Sequence, residues 1–306
     1  MAEISAKAVA ELRKLTGCGM MDCKKALAEA NGDMDAAVKI LREKGMASTA
    51  KKADRIAAEG LVDIMTVDNV TAMVEVNSET DFVAKNATFQ EFVKTILKTI
   101  IENKPATVEE LLGCKASGCE GTVADELTEH TYKIGEKLSI RRFVVVEGVV
   151  STYIHGLGNT GVIISFVTDV ADAPEFKECA KNVALQVAAM PVRYLDKESV
   201  PAEVLEEEKA ILVKQMQQDP KMANKPEAVL VKIVEGRLGK FYENNCLLEQ
   251  AYVKDDSLTV GKYVASVAKQ LGGSIKVVGF IRYDKGEGLE KREEDFAAEI
   301  AKMVNG

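Results

Sequence analysis

Apolar residues recur at helical spacing from the beginning of the chain. Ile4, Ala8, Leu12 and Leu15 make one stripe and Gly17-Cys18-Gly19 interrupts it, which predicts a short first helix. A second is expected with Asp22 as its cap, Cys23, Ala26, Leu27 and Ala30 facing inward, and Asn31-Gly32 at its end. Asp33 stands where a third helix needs a cap, with Ala37, Ile40 and Leu41 on the inner face and Gly45 as the stop. Three helices this short bury little surface, so they read as a small separate module tethered by the Ala/Lys-rich stretch from Ala47 to Ala58.

The period then changes. Ala72, Val74 and Val76 alternate with Thr71, Met73 and Glu75, the pattern of a half-buried strand. Phe89, Phe92, Val93, Ile96, Leu97, Ile100 and Ile101 return to helical spacing and form a stripe broad enough to lie on a sheet. An offset of 88 residues carries Glu59-Gly60-Leu61-Val62 onto Glu147-Gly148-Val149-Val150, Val74 onto Val162, and Thr80-Asp81 onto Thr168-Asp169. Two related α+β halves are therefore expected. A helical stretch interrupts the second: Val204, Leu205, Ile211 and Leu212 form one stripe, Val229, Leu230, Ile233, Val234 and Leu238 another, and Asp219-Pro220 and Lys225-Pro226 break the helix between them. Such a pair predicts an antiparallel hairpin able to pack against another copy. A helix capped at Thr259 and stopped at Gly272, a strand from Ile275 to Tyr283, and a terminal amphipathic helix with Phe296, Ile300 and Met303 on one face complete the pattern.

Composition narrows the function. With 306 residues, 47% of them apolar, the chain has enough material for two or three cores. A formal net charge of −8 would repel a nucleic-acid backbone, so direct nucleic-acid binding is disfavoured. Glu3 and Lys7 fall where a signal peptide needs an apolar run, and no segment has the roughly 18 apolar residues of a membrane span. A cytoplasmic protein is expected, and its six dispersed cysteines read as reduced thiols. Cys114-x4-Cys119 is at most half of a metal site, and His130 and His155 are the only histidines. Neither a phosphate-binding glycine loop nor a nucleophile pair is present. The chain reads as a binding protein without metal or cofactor, and not as an enzyme.

Two motifs carry a family resemblance. Leu15-Thr16-Gly17-Cys18-Gly19-Met20-Met21-Asp22-Cys23-Lys24-Lys25-Ala26-Leu27 resembles one signature of the elongation factor Ts family, and Glu75-Val76-Asn77-Ser78-Glu79-Thr80-Asp81-Phe82-Val83-Ala84-Lys85-Asn86 resembles its nucleotide-releasing motif. Lys133-Ile134-Gly135-Glu136-Lys137, Arg141-Arg142, Tyr153-Ile154-His155-Gly156, Glu235-Gly236-Arg237 and Gly279-Phe280-Ile281-Arg282 follow in family order. The resemblance implies an α+β multidomain protein: a ubiquitin-associated-like three-helix domain over 1–54, and an α+β subdomain over 55–142. A related subdomain over 143–285 carries the helical hairpin at about 190–243, and a C-terminal helical module occupies 286–306. The stretch from Pro105 to Glu129 departs from the family pattern.

The resemblance also implies an activity: guanine nucleotide exchange on the GTPase elongation factor Tu, through the exchange motif Thr80, Asp81, Phe82 and Val83. Partner contacts are implied at Arg13, Met20, Met21, Lys24, Ile134, Gly135, His155 and Phe296. Phe82 competes with a core position, since it lies in phase with Phe89; Lys85 and Asn86 interrupt that stripe, and the second repeat has Val170 in its place. Asp81 has an ordinary alternative as a first-turn acid after a Thr80 cap. Met20 and Met21, expected in a loop, cannot both face a small core. Arg13 and Lys24 read equally as solvated charge, His155 as a turn histidine, and Ile134-Gly135 as a strand-entry turn. A ubiquitin-binding adaptor is the rival function, since a three-helix unit with a Met-bearing loop suits that partner.

Overall fold

A computed structural model describes residues 4–218 and 227–290. It contains two compact units, one running to Val146 and adding Gly156–Thr160 and the chain from Tyr283, the other made of Glu147–His155 and Gly161–Arg282. The turn expected around Asp219-Pro220 and Lys225-Pro226 and the terminal helix with Phe296, Ile300 and Met303 lie outside the described residues. Among the described residues, no helix is long and apolar enough to cross a membrane.

The first unit opens with three helices. Ser5 caps α1 (Ala6–Thr16) by accepting the Ala8 N–H, and Gly17 ends it in the left-handed region. The second, α2 (Met20–Glu29), starts three residues earlier than expected, with Gly19 at the cap position and no side-chain cap. Asp22 instead occupies its first turn, where a negative charge still favours the helix N-terminus. Asp33 caps α3 (Met34–Lys52) as predicted, by a 2.8 Å bond from the Ala36 N–H. Gly45 does not stop α3. The helix runs on through this glycine where α3 packs on the helix Val123–Ile134, close enough that a Cβ at position 45 would meet Tyr132 and Thr128 at 3.7 to 3.9 Å, and such packing offsets the low helix propensity of glycine. Val9, Leu12, Cys23, Ala26, Leu27, Ala37 and Leu41 form the small core, while Leu15, assigned to the stripe, is 68% exposed.

The rest of the first unit is a sheet with helices on it. Strands β1 (Glu59–Val67) and β2 (Val70–Ser78) form an antiparallel hairpin from Glu59↔Ser78 to Val67↔Val70. Gly60, with φ +104°, lies so close to β2 that a Cβ there would sit 2.1 Å from the Val76 carbonyl oxygen. Strand β3 (Ser139–Glu147) joins the other side of β2. The long helix α5 (Ala87–Asn103) is started by Asn86, which accepts the Thr88 N–H. It buries Phe89, Phe92, Val93, Ile96, Leu97 and Ile100 in one core with Leu61, Val74, Val76 and Ile140. Between β2 and α5 comes the single-turn α4 (Asp81–Ala84). The stretch from Pro105 to Glu129, expected to depart from the family pattern, forms α6 (Val108–Gly113) and most of α7 (Val123–Ile134), the latter opened by a Thr122/Asp125 capping box. Among the described residues, no three His, Cys, Asp or Glu groups are arranged to hold a metal ion.

Strand β2 departs from the half-buried pattern: Thr71, Met73, Glu75 and Asn77 are buried as well as the alternating apolar set. Glu75 survives there because its carboxylate accepts bonds from Arg141, Arg142, the Asn77 amide and the Gly286 N–H. The residues after β8 thus cover that face within the same unit, a long-range pairing that alternation in β2 does not reveal.

The second unit repeats the motif. Strands β4 (Val149–His155), β5 (Thr160–Thr168) and β8 (Ile275–Asp284) form a sheet in that order, and α8 (Pro174–Ala189) corresponds to α5. Val162, Ile164 and Phe166 pack with Phe176, Val183, Val187, Val264 and Val277. Between α8 and β8 come α9 (Ala202–Gln218), α10 (Glu227–Asn245), a 3₁₀ turn at Leu247–Glu249, the short strands β6 (Ala251–Tyr252) and β7 (Asp255–Thr259), and α11 (Val260–Leu271). Thr259 caps α11 and Gly272 ends it, as the sequence predicts. In α9 the inner side carries Leu212 and Met216, whereas Ile211, expected beside Leu212 in the stripe, is exposed.

Candidate functional site

The site in the first unit grows out of the end of β2. Ser78 donates its hydroxyl to the Thr80 carbonyl at 2.9 Å and turns the chain into α4. Thr80 occupies the cap position without a capping bond. Its hydroxyl goes instead to Glu136 Oε1 at 2.7 Å, and its N–H to Glu136 Oε2 at 2.9 Å. A single helical turn has no independent stability, so α4 depends on such ties and on one buried anchor. That anchor is Val83, packed in the core with Phe89 and Phe92.

With Val83 inward, Phe82 is turned out. It is 76% exposed, which removes the core-packing alternative. Lys85 lies beside it, 3.3 Å from the Asp81 carboxylate and 5.7 Å from the centre of the Phe82 ring. Both charges are more than half exposed, so this pair adds little stability and leaves Asp81 accessible. The corresponding residue of the second repeat behaves differently: Val170 packs against its own core, and a Cβ on Gly273 would touch it at 2.4 Å.

The same turn holds Ile134 and Gly135 nearby in the chain's bonding pattern. Gly135 ends α7 with φ +85°, and Ile134 is packed on the core behind it. Lys137 donates its N–H to Glu79 at 2.6 Å, so the two residues that follow Gly135 are tied to Glu79 and Thr80. The ammonium of Lys137 reaches the Ala53 and Arg55 carbonyls at 2.5 and 2.8 Å, and Arg55 is ion-paired with Glu79 at 3.1 Å. Glu79 and Glu136 both lie in motifs that carry the family resemblance, but nothing in the sequence pairs the two segments. Only the fold, which brings them together, shows what they do.

At the N-terminal helices, Met20 and Met21 begin α2 instead of occupying a loop, and both stand out from the surface, 57% and 60% exposed. With Ile4, Val9, Ala10, Arg13 and Lys24 they line an open hollow of about 600 Å³, apolar on its floor and basic at its rim. Arg13 and Lys24 are exposed and flank it. His155 belongs to the second unit, at the end of β4, where its Nδ1 is 3.1 Å from the Tyr153 hydroxyl. Phe296 lies outside the described residues.

Residues 79–287, from the turn that carries Thr80–Val83 to the segment after β8, match the family model described as elongation factor TS, and the stretch from Pro105 to Glu129, expected to depart from the family pattern, lies within the match. Three relatives of the same name cover nearly all of both chains: those of Clostridioides difficile, 49% identical over 99% of this chain and all of its own; Clostridium kluyveri, 47% over 99% of each; and Syntrophotalea carbinolica, 46% over 99% of each. The chain belongs to the elongation factor Ts family. It is thereby one of the translation elongation factors. Phe82, Met20 and Met21 are large apolar side chains left 76%, 57% and 60% exposed on its surface.

Proposed function

We propose that this chain is a guanine nucleotide exchange factor that binds elongation factor Tu carrying GDP and promotes GDP release by disturbing its Mg²⁺/phosphate site. The observation that supports this most is Phe82, an aromatic ring 76% exposed on a turn whose next residue is locked in the core. Such a ring acts as a wedge, because a packed seam in a partner shifts in discrete steps when a bulky group enters it. Asp81, exposed at its base, repels phosphate and competes for the water around Mg²⁺. Met20 and Met21, as soft apolar contacts framed by Arg13 and Lys24, grip the GTPase while the wedge acts. Ile134-Gly135 and His155 add contacts, and no residue of the chain does covalent chemistry.

The energetics require no reaction. A factor that prefers the empty GTPase over the loaded one weakens nucleotide binding by the same ratio, and a ratio of 10⁴ needs roughly 5.5 kcal/mol of differential contact. In this reading the three N-terminal helices form a ubiquitin-associated-like domain, the protein is cytoplasmic, and α9–α10 pairs two copies through surface residues such as Ile211, Val213 and Val229. The domain limits at residues 54, 142 and 285 belong to the same reading.

Release of fluorescent GDP from elongation factor Tu on adding the full-length chain tests the function. Acceleration supports it; an unchanged release rate together with capture of ubiquitin in a pull-down would replace it with the adaptor function. Sedimentation of the chain alone tests the pairing.

A further inference from the structure

The exchange turn is held from outside its own segment by a reciprocal pair of acids. Glu136 accepts the N–H and hydroxyl of Thr80, and Glu79 accepts the N–H of Lys137. Each acid therefore binds the residue that follows the other acid, across a sequence separation of 56 to 58 residues. Glu136 also takes the Thr80 hydroxyl away from capping α4, which has no side-chain cap of its own. In the second unit the matching Thr168 and Asp169 bond to the backbone of Ser274, so the tie exists there but no acid side chain from the far loop provides it.

We propose that Glu136 is a positioning residue for exchange: its carboxylate seats Thr80 so that Phe82 transmits force to the partner instead of giving way. This rests on the exchange reading above. A wedge gains leverage only as far as its own base is stiffer than the seam it enters. The base here is one helical turn, pinned below by Val83 and in front by Glu136. Without the Glu136 bonds the turn keeps its anchor but loses the two charge-assisted bonds that set its entry angle. Lys137 and Arg55 extend the same network to the end of α3, the last of the three helices whose unit carries the Met20/Met21 hollow. Grip and wedge thus share one frame.

The test uses the full-length chain and its E136A, E136Q and T80V variants, with amide exchange of residues 79–84 and stopped-flow release of fluorescent GDP from elongation factor Tu. In E136A, Thr80 amide protection and the maximal release rate should each fall at least about tenfold, since even one of the two charge-assisted hydrogen bonds lost is worth roughly that factor. The concentration for half-maximal release should stay within about threefold, because the Met20/Met21 surface is untouched. E136Q should recover most of the rate, since its carbonyl still accepts the Thr80 N–H and its amide reaches the Thr80 hydroxyl. The T80V/E136A double variant should be no slower than E136A; a direct contact of Glu136 with the partner predicts additive losses instead.

Wild-type acceleration with equally fast E136A, equal losses in E136A and E136Q, or additive losses in the double variant would each overturn the proposal alone. A wild-type chain that leaves GDP release unchanged overturns the exchange reading, and the proposal with it.

Discussion

Replacing Phe82 with alanine separates a wedge from a core residue by its opposite effects on function and folding. A phenylalanine has roughly 150–250 Å² to bury, and with 76% of it free some 150 Å² remains for a partner to cover. At about 25 cal/mol per Å² that is close to 4 kcal/mol, of which alanine keeps a part, so a loss of about 2–3 kcal/mol is expected. If this contact is made in the nucleotide-free complex and not in the loaded one, GDP release slows by roughly 30- to 160-fold. The assay is stopped-flow release at saturating factor, beside urea unfolding of the free chain. Because Val83, and not Phe82, anchors α4, unfolding free energy should change by less than about 0.5 kcal/mol. Release within twofold of wild type would refute the wedge. An unfolding loss above about 1.5 kcal/mol would refute the exposed placement from which the magnitude comes.

Asp81→Ala should cause a smaller loss of exchange that depends on free Mg²⁺; an identical loss at low and high Mg²⁺ argues against the ion-linked role. Glu75 is fully buried against Arg141 and Arg142 at 3.0 and 2.7 Å, so Glu75→Ala should cost about 3–5 kcal/mol in urea unfolding, and a cost under about 1 would mean that the guanidinium groups are solvated instead. Burial opposes ionisation of Glu75, but the Gly286 N–H, Asn77, Arg142 and Arg141 outweigh it and hold the carboxyl below the usual glutamate range. Its stabilisation is therefore present above the ordinary glutamate value and disappears as pH falls through the depressed folded one, so the stability gap between wild type and Glu75→Gln should close in that acid window. Gly45→Ala should be neutral or stabilising by up to about 1 kcal/mol, since the added methyl meets Tyr132 and Thr128 at ordinary contact distance inside a helix. Gly60→Ala should lose at least about 2 kcal/mol, because φ is +104° and the methyl would overlap the Val76 carbonyl; a melting temperature equal to wild type for Gly60→Ala, or a clear drop for Gly45→Ala, would contradict the corresponding statement.

The local grammar of the chain is legible in its residues. The caps at Asp33 and Thr259 and the stop at Gly272 depend on neighbours a few positions apart and appear where the residues place them, whereas the stripes hold only in part, with Leu15 and Ile211 exposed and β2 buried on both faces. The candidate turn was legible too, through a motif that stays contiguous. What a sequence of adjacent apolar residues cannot determine is which one faces in: Phe82 and Val83 are both apolar on a single turn, and packing on α5 chose Val83. Contacts over long separations made the remaining decisions. Helix α7 kept α3 helical through Gly45, the segment after β8 buried the polar face of β2, and residues 56 to 58 positions apart locked the turn in place. Local periodicity and capping specified the elements because their energies are set within a few residues. The outward orientation of Phe82 follows from the packing of Val83 on α5, and the turn that carries it is bonded to Glu136, contacts between distant segments that only the tertiary structure brings together.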